Sequence, residues 1–179
     1  MKLLQSLNRL ALMLAMLIVF VAASLGHAPS ALAAGMTDFL ENELLDHTFR
    51  ARSYTAPAAL YVRLCTAAGT DATGCTEATY TGYARGQLNP SVSNWKGSNG
   101  EVTAVDSAGT SGTTSNAAII TVGAAATSGP QVVTHFEVMD APTGGNRLFW
   151  AALTASKTIN NGDPAPTFAV DALTVQFDN

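Results

Sequence analysis

From Ala59 onward the apolar residues recur with a period of two. Leu60, Val62 and Leu64 point one way and Tyr61, Arg63 and Cys65 the other, the pattern of a strand with one face in a core and one toward water. Further strands are predicted at Tyr80 to Leu88, Ala117 to Val122, Gln131 to Met139, Arg147 to Thr154, Thr167 to Val170 and Leu173 to Phe177. Short strands in this number, separated by turn residues, restrict the chain to a mainly β fold. The expectation is an antiparallel, jelly-roll-like β-sandwich with one N-terminal helix.

Turn chemistry supports antiparallel pairing. Pro142-Thr143-Gly144-Gly145-Asn146 should close a hairpin, and Asn160-Asn161-Gly162-Asp163 supplies residues that tolerate positive φ. In the last segment the apolar phase moves from Phe168 and Val170 to Leu173, Val175 and Phe177. That change requires a bend or bulge near Asp171, which would let one segment serve two sheets. Asn89 to Asn116 is rich in Ser, Gly and Thr and reads as a long exposed excursion with one weak strand, Glu101 to Val105. Before the strands, Asp38 is a predicted N-cap with Glu41 three residues on. Leu40, Leu44, Leu45 and Phe49 then share one broad helical face ending near Arg50.

The first 33 residues are of another kind. Lys2 and Arg9 precede an apolar run from Leu10 to Leu25, and Ala31-Leu32-Ala33 offers small residues where a signal peptidase reads them. A run of this length falls short of the ~20 residues of a comfortable bilayer span. The expected division is a signal peptide over 1–33, cut between Ala33 and Ala34, and a single domain over 34–179. Membrane contact is then confined to the leader before cleavage. An uncleaved anchor and a translation start at Met36 are the alternatives.

Lys2 and Arg9 are the only charges in the leader, so its loss takes the net charge from −4 to about −6. This argues against nucleic acid as a partner. Charged residues make up only 12 % of the chain, and a low-charge Ala/Thr/Gly surface is compatible with packing against copies of itself or other structural subunits. Export would place Cys65 and Cys75, separated by nine residues, in an oxidising compartment. A loop-closing disulfide is the expected state.

Candidates for chemistry are few. Asp46 and His47 are adjacent on a helix and diverge, so they form no ready dyad. His47 and His135 would supply two ligands where a metal needs more. No serine sits in a nucleophile elbow, and the Gly144-Gly145 pair lacks the lysine of a phosphate loop. No catalytic residue, cofactor or metal is expected. Trp150, flanked by Phe149, reads as core, whereas Trp95 in the long loop is the candidate exposed aromatic for stacking on a surface glycan. Arg63, Arg85 and Arg147 fall in or beside strands and read as solvated or structurally paired.

Several blocks in their order carry a resemblance. Leu40-Glu-Asn-Glu-Leu-Leu-Asp-His-Thr-Phe-Arg50, Tyr54-Thr-Ala-Pro-Ala-Ala-Leu-Tyr-Val62, Gly82-Tyr-Ala-Arg85 and Thr134-His-Phe136 are followed by Asp140-Ala-Pro-Thr-Gly-Gly-Asn146, Ala152-Leu-Thr-Ala-Ser-Lys157 and Asn161-Gly-Asp163. From about Met36 to Phe177 the chain resembles a family of small tailed-phage virion proteins, described as tail-fibre or structural proteins. The resemblance implies a compact β-rich domain that acts by assembly or adhesion rather than catalysis. Such proteins begin at the position matching Met36, so the leader is a departure from the pattern. The resulting expectation is an exported, self-associating structural or adhesive protein. A virion component begun at Met36 and a carbohydrate-binding module are the alternatives.

Overall fold

The computed structural model describes residues 35–108 and 112–177. The expected signal peptide over 1–33 and its expected cleavage between Ala33 and Ala34 lie outside the described residues. Within them the chain is mainly β and antiparallel, with one helix.

The chain enters through β1 (Gly35–Met36) and α1 (Asp38–Phe49) before reaching β2 (Tyr61–Ala67). Two short strands follow, β3 (Thr76–Glu77) and β4 (Gly86–Gln87), then β5 (Thr113–Ser115) and β6 (Ile120–Thr121). The long strands β7 (Gln131–Met139) and β8 (Arg147–Ile159) precede β9 (Thr167–Phe168) and β10 (Thr174–Gln176). The principal sheet runs β1-β8-β7-β2-β3, with β4 also on β2. β10 pairs with β5 and β6 with β9 as two separate ladders.

Register divides the principal sheet into two unlike faces. Val62 opposes Val138, Leu64 opposes Phe136, and Phe136 opposes Ala151. These residues are buried in one core with Ile120, Phe168, Leu173 and Val175 from the two ladders. The ladders therefore form a second, open layer, and the arrangement is sandwich-like. Phe136 and Phe168 meet edge to face across the layers at 5.9 Å between centroids.

The β7–β8 hairpin closes where turn chemistry placed it. Gly144 and Gly145 take φ of 58° and 75°, and the Asp140 carboxylate accepts hydrogen bonds from the Asn146 backbone at 2.7 Å and side chain at 2.9 Å. The expected bend is present too, since Asp171 takes φ of 64° between β9 and β10, which pair with different ladders. Asn116, fully buried, braces that corner. Its amide donates to Ala118 and Ala169 carbonyls and its oxygen accepts from Leu173 N–H.

Three expectations need correction. Tyr80 to Leu88 is not one strand: Gly82 turns the backbone at φ 101°, and only Gly86–Gln87 pairs, while Tyr80 and Leu88 reach the core from looped backbone. In the long excursion, Glu101 to Val105 forms no strand, and Val102 and Val105 are exposed. Thr113–Ser115 does form one, against Thr174–Gln176. The helix differs as well, because Thr37 rather than Asp38 precedes its first turn. The Thr37 hydroxyl donates to the Arg147 carbonyl at 2.6 Å, tying α1 to β8 instead of capping the helix.

Only Leu40 of the helix is buried, and Phe49 is 82 % exposed. The N-terminal half packs on the sheet and the C-terminal half lies off it. Leu40→Ala should therefore cost about 2–4 kcal/mol in chemical denaturation, whereas Phe49→Ala should stay within about 0.5 kcal/mol. Equal losses would contradict this placement.

Candidate functional site

The face of the principal sheet turned away from the core is charged. Arg63 opposes Glu137, Glu137 opposes Trp150, and a bulge brings Arg147 opposite Met139. Glu137 is 1 % exposed. One of its oxygens receives Arg63, from Nε at 2.6 Å and from Nη2. The other receives Arg147 Nη1 and the Cys75 backbone N–H, each at 3.0 Å. A buried carboxylate is tolerated when cations and donors satisfy it, and every contact here does one or the other.

Glu77 extends the network. It accepts from Arg85 Nε at 2.9 Å and Nη2 at 2.8 Å, from the Tyr83 hydroxyl at 2.8 Å, and from Arg63 at 3.3 Å. Arg85 also reaches the Ala141 and Gly144 carbonyls at 2.8 Å, joining the network to the β7–β8 hairpin. Burial pushes the Glu77 carboxyl up, but the Arg85 and Tyr83 hydrogen bonds and the Arg85 and Arg63 charges outweigh it, so the group sits below the usual glutamate range. Burial and the bond to Glu77 push the Tyr83 phenol well above its ordinary value.

The sign for stability follows from Glu77. A depressed folded pKa contributes stability above the ordinary glutamate pKa, and that contribution is lost as pH falls through the folded value. Glu77→Gln should flatten the acid limb of a stability–pH profile and leave its slope above pH ~6 unchanged. An acid limb as steep as in the unaltered chain would contradict this role.

A cystine loop lies over the network. Cys65 and Cys75 are bridged, with their Cα atoms 5.8 Å apart. Arg147 donates to the Thr70 carbonyl at 2.6 Å and the Asp71 carbonyl at 2.5 Å, and the Trp150 indole donates to the Asp71 carboxylate at 2.6 Å. Trp150 is thus not a core residue: it is half-buried on the charged face and latches the loop. The two sulfurs and a Glu137 oxygen lie within 4.8 Å of one another. Bridged sulfurs offer no thiolate, and guanidinium groups hold that carboxylate, so the donor set does not fit a metal. Cys65→Ser with Cys75→Ser should lower stability by about 2–3 kcal/mol. An unchanged midpoint in denaturant would contradict a structural role.

Trp95 stands elsewhere. It is half-buried beside the core, its indole donates to the Leu88 carbonyl at 3.2 Å, and its backbone bridges to Asn116. It walls an apolar groove of about 320 Å³ shared with Leu40, Leu44, Tyr54, Leu60 and Phe149. A second cavity of about 380 Å³ lies between the cystine loop and the hairpin, lined by Phe39, Asp71, Asn146 and Arg147 among others. His47 and His135 have separate partners. On the helix, His47 Nδ1 lies 3.1 Å from the carbonyl of Arg52, beyond the helix end, and on β7 His135 Nδ1 lies 2.8 Å from the Thr134 hydroxyl.

The charged face escaped sequence reading, although alternation held a clue to it. Phe149 and Trp150 are neighbours in one strand and must face opposite ways. Among the described residues no helix is long and apolar enough to cross a membrane.

A comparison with curated proteins finds no match. The family model described as Podophage GP4 fiber I protein gp80 matches residues 35–176. That span takes in every strand and the helix among the described residues, with the ion network and the cystine loop. With nearly all of the described fold inside the match, the chain belongs to the Podophage GP4 fiber I protein gp80 family.

Proposed function

We propose that this chain is a non-enzymatic structural component of the fibre type that is exported, self-associates and works by assembly or adhesion. The observation that carries the reading is the family match over residues 35–176. Export is supported by the leader pattern and by the cysteine pair, because a disulfide persists outside the cytoplasm. Self-association is supported by the sparse charge of the chain, in which only 12 % of residues are charged. Its partners are copies of itself or other structural subunits.

Size-exclusion chromatography with light scattering tests this. The expected result is a mass that rises in subunit multiples with concentration. A strict monomer across the whole range would overturn self-association. A second reading, a virion fibre component translated from Met36, is favoured by a match that begins at residue 35. Under it the protein travels with the virion and needs no leader.

A further inference from the structure

The cavity between the cystine loop and the β7–β8 hairpin, about 380 Å³ in volume, is held open by bonds that converge on Arg147. The Thr37 hydroxyl, at the start of α1, donates to the Arg147 carbonyl, and the Arg147 guanidinium donates to the Thr70 and Asp71 carbonyls of the loop. Asp140 fixes the hairpin wall by accepting from Asn146, and the disulfide closes the loop. A ligand entering here has little left to order. The volume stands at the small end of the ~300–1,000 Å³ of small-molecule sites, which suits a single ring better than a chain of them.

Charge narrows the class of ligand. Asp38 and Asp71 line the cavity together with Arg63 and Arg147, two anions and two cations. An anion would meet the two carboxylates, which are exposed, and a cation would meet the two guanidinium groups. The arginines are already held by Glu137, so their charge is balanced within the sheet. A neutral molecule fits this lining.

Its polar groups must both donate and accept, because an aspartate only accepts and an arginine only donates. The Trp150 indole takes one Asp71 oxygen, which leaves the other, and Asn146 gives its Nδ2 to Asp140, which leaves its amide oxygen. Arg147 gives Nη1 to Thr70 and Glu137 and one Nη2 proton to Asp71. Among the described residues, Nε and the second Nη2 proton remain for a ligand. Hydroxyl groups serve all of these, since each carries one donor and two acceptor lone pairs. Phe39, half-buried in the same wall, adds an aromatic face for an apolar surface of the ligand.

We propose that this cavity binds one neutral sugar ring of a surface glycan. Asp38, Asp71 and Asn146 accept from its hydroxyls, Arg147 donates to them, and Phe39 lies against its apolar face. This rests on the adhesive side of the function proposed above and supplies its ligand class. Trp95, in its apolar groove, becomes the control.

Nuclear magnetic resonance of the full chain tests this, in a detergent that carries no sugar. The chain holds two tryptophans, so their indole N–H signals report separately on the cavity, through the bond from Trp150 to Asp71, and on the groove beside Trp95. The probes are the methyl glycosides of glucose, galactose, mannose, rhamnose and N-acetylglucosamine, with glucuronate and glucosamine as charged counterparts. The expected result is a saturable shift of the Trp150 signal by at least one neutral glycoside while the Trp95 signal stays in place. Ala72→Tyr, which fills the cavity from an exposed position, should weaken that binding about tenfold or more. No shift with any glycoside would overturn the proposal, as would a shift at Trp95 in place of Trp150, tighter binding of either charged probe, or full affinity in Ala72→Tyr. Self-association is read separately by light scattering, so either result can fail without the other.

Discussion

Glu137→Ala should lower unfolding free energy by about 3–5 kcal/mol, measured by urea denaturation under non-reducing conditions. The expectation rests on what the substitution leaves behind. Arg63 and Arg147, with side chains 11 % and 9 % exposed, would lose the carboxylate that faces both, and the Cys75 N–H would lose its acceptor. Breaking one member of a buried ionic cluster costs far more than the cluster itself contributes, because the remaining charges stay desolvated, with Arg63 keeping its 3.3 Å contact to Glu77 and Arg147 its bonds to the Thr70 and Asp71 carbonyls. Glu137→Gln should fall between Glu137→Ala and the unaltered chain, since the amide keeps one carbonyl acceptor but none of the charge. A loss below about 1 kcal/mol for Glu137→Ala would mean that water reaches the arginines freely, and the loop would then not seal this face.

Phe136→Ala should cost about 3–5 kcal/mol. Phe136 is fully buried and lies opposite both Leu64 and Ala151, with Phe168 of the second layer against its ring. Truncation opens a cavity where the layers meet, and the strands on either side hold their backbones too firmly to close it. Val132 is four residues earlier on the same strand and 46 % exposed. Val132→Ala should stay within about 0.5 kcal/mol. Similar losses at both positions would place the core elsewhere.

Legibility followed side-chain chemistry. β7 and β8 were readable because alternating Val, Phe and Leu flank a turn whose glycines tolerate positive φ. The bend at Asp171 was readable because an apolar phase cannot shift by one without it. β5 was not, since Thr113-Thr114-Ser115 carries no apolar alternation and its strand exists only through pairing with β10. Tyr80 to Leu88 misled for the opposite reason, with large apolar side chains reaching the core from a loop.

At the charged face the individual residues were visible and the constellation was not. Arg63 and Glu137 are 74 positions apart, and only strand register makes them neighbours. The latch of Arg147 and Trp150 on the cystine loop likewise depends on a bulge in β8 opposite Met139. Helix burial was not readable, because helical periodicity shows which residues share a face, not how far the sheet beneath them extends.

Intact mass of the chain purified from its native host, measured without reduction, tests export of this fibre-family fold most directly. The expected product begins at Ala34 and is two mass units lighter than the dithiol form, reporting one Cys65–Cys75 bond. A product beginning at Met36 or Thr37 with both thiols free would contradict export and leave the virion reading in its place.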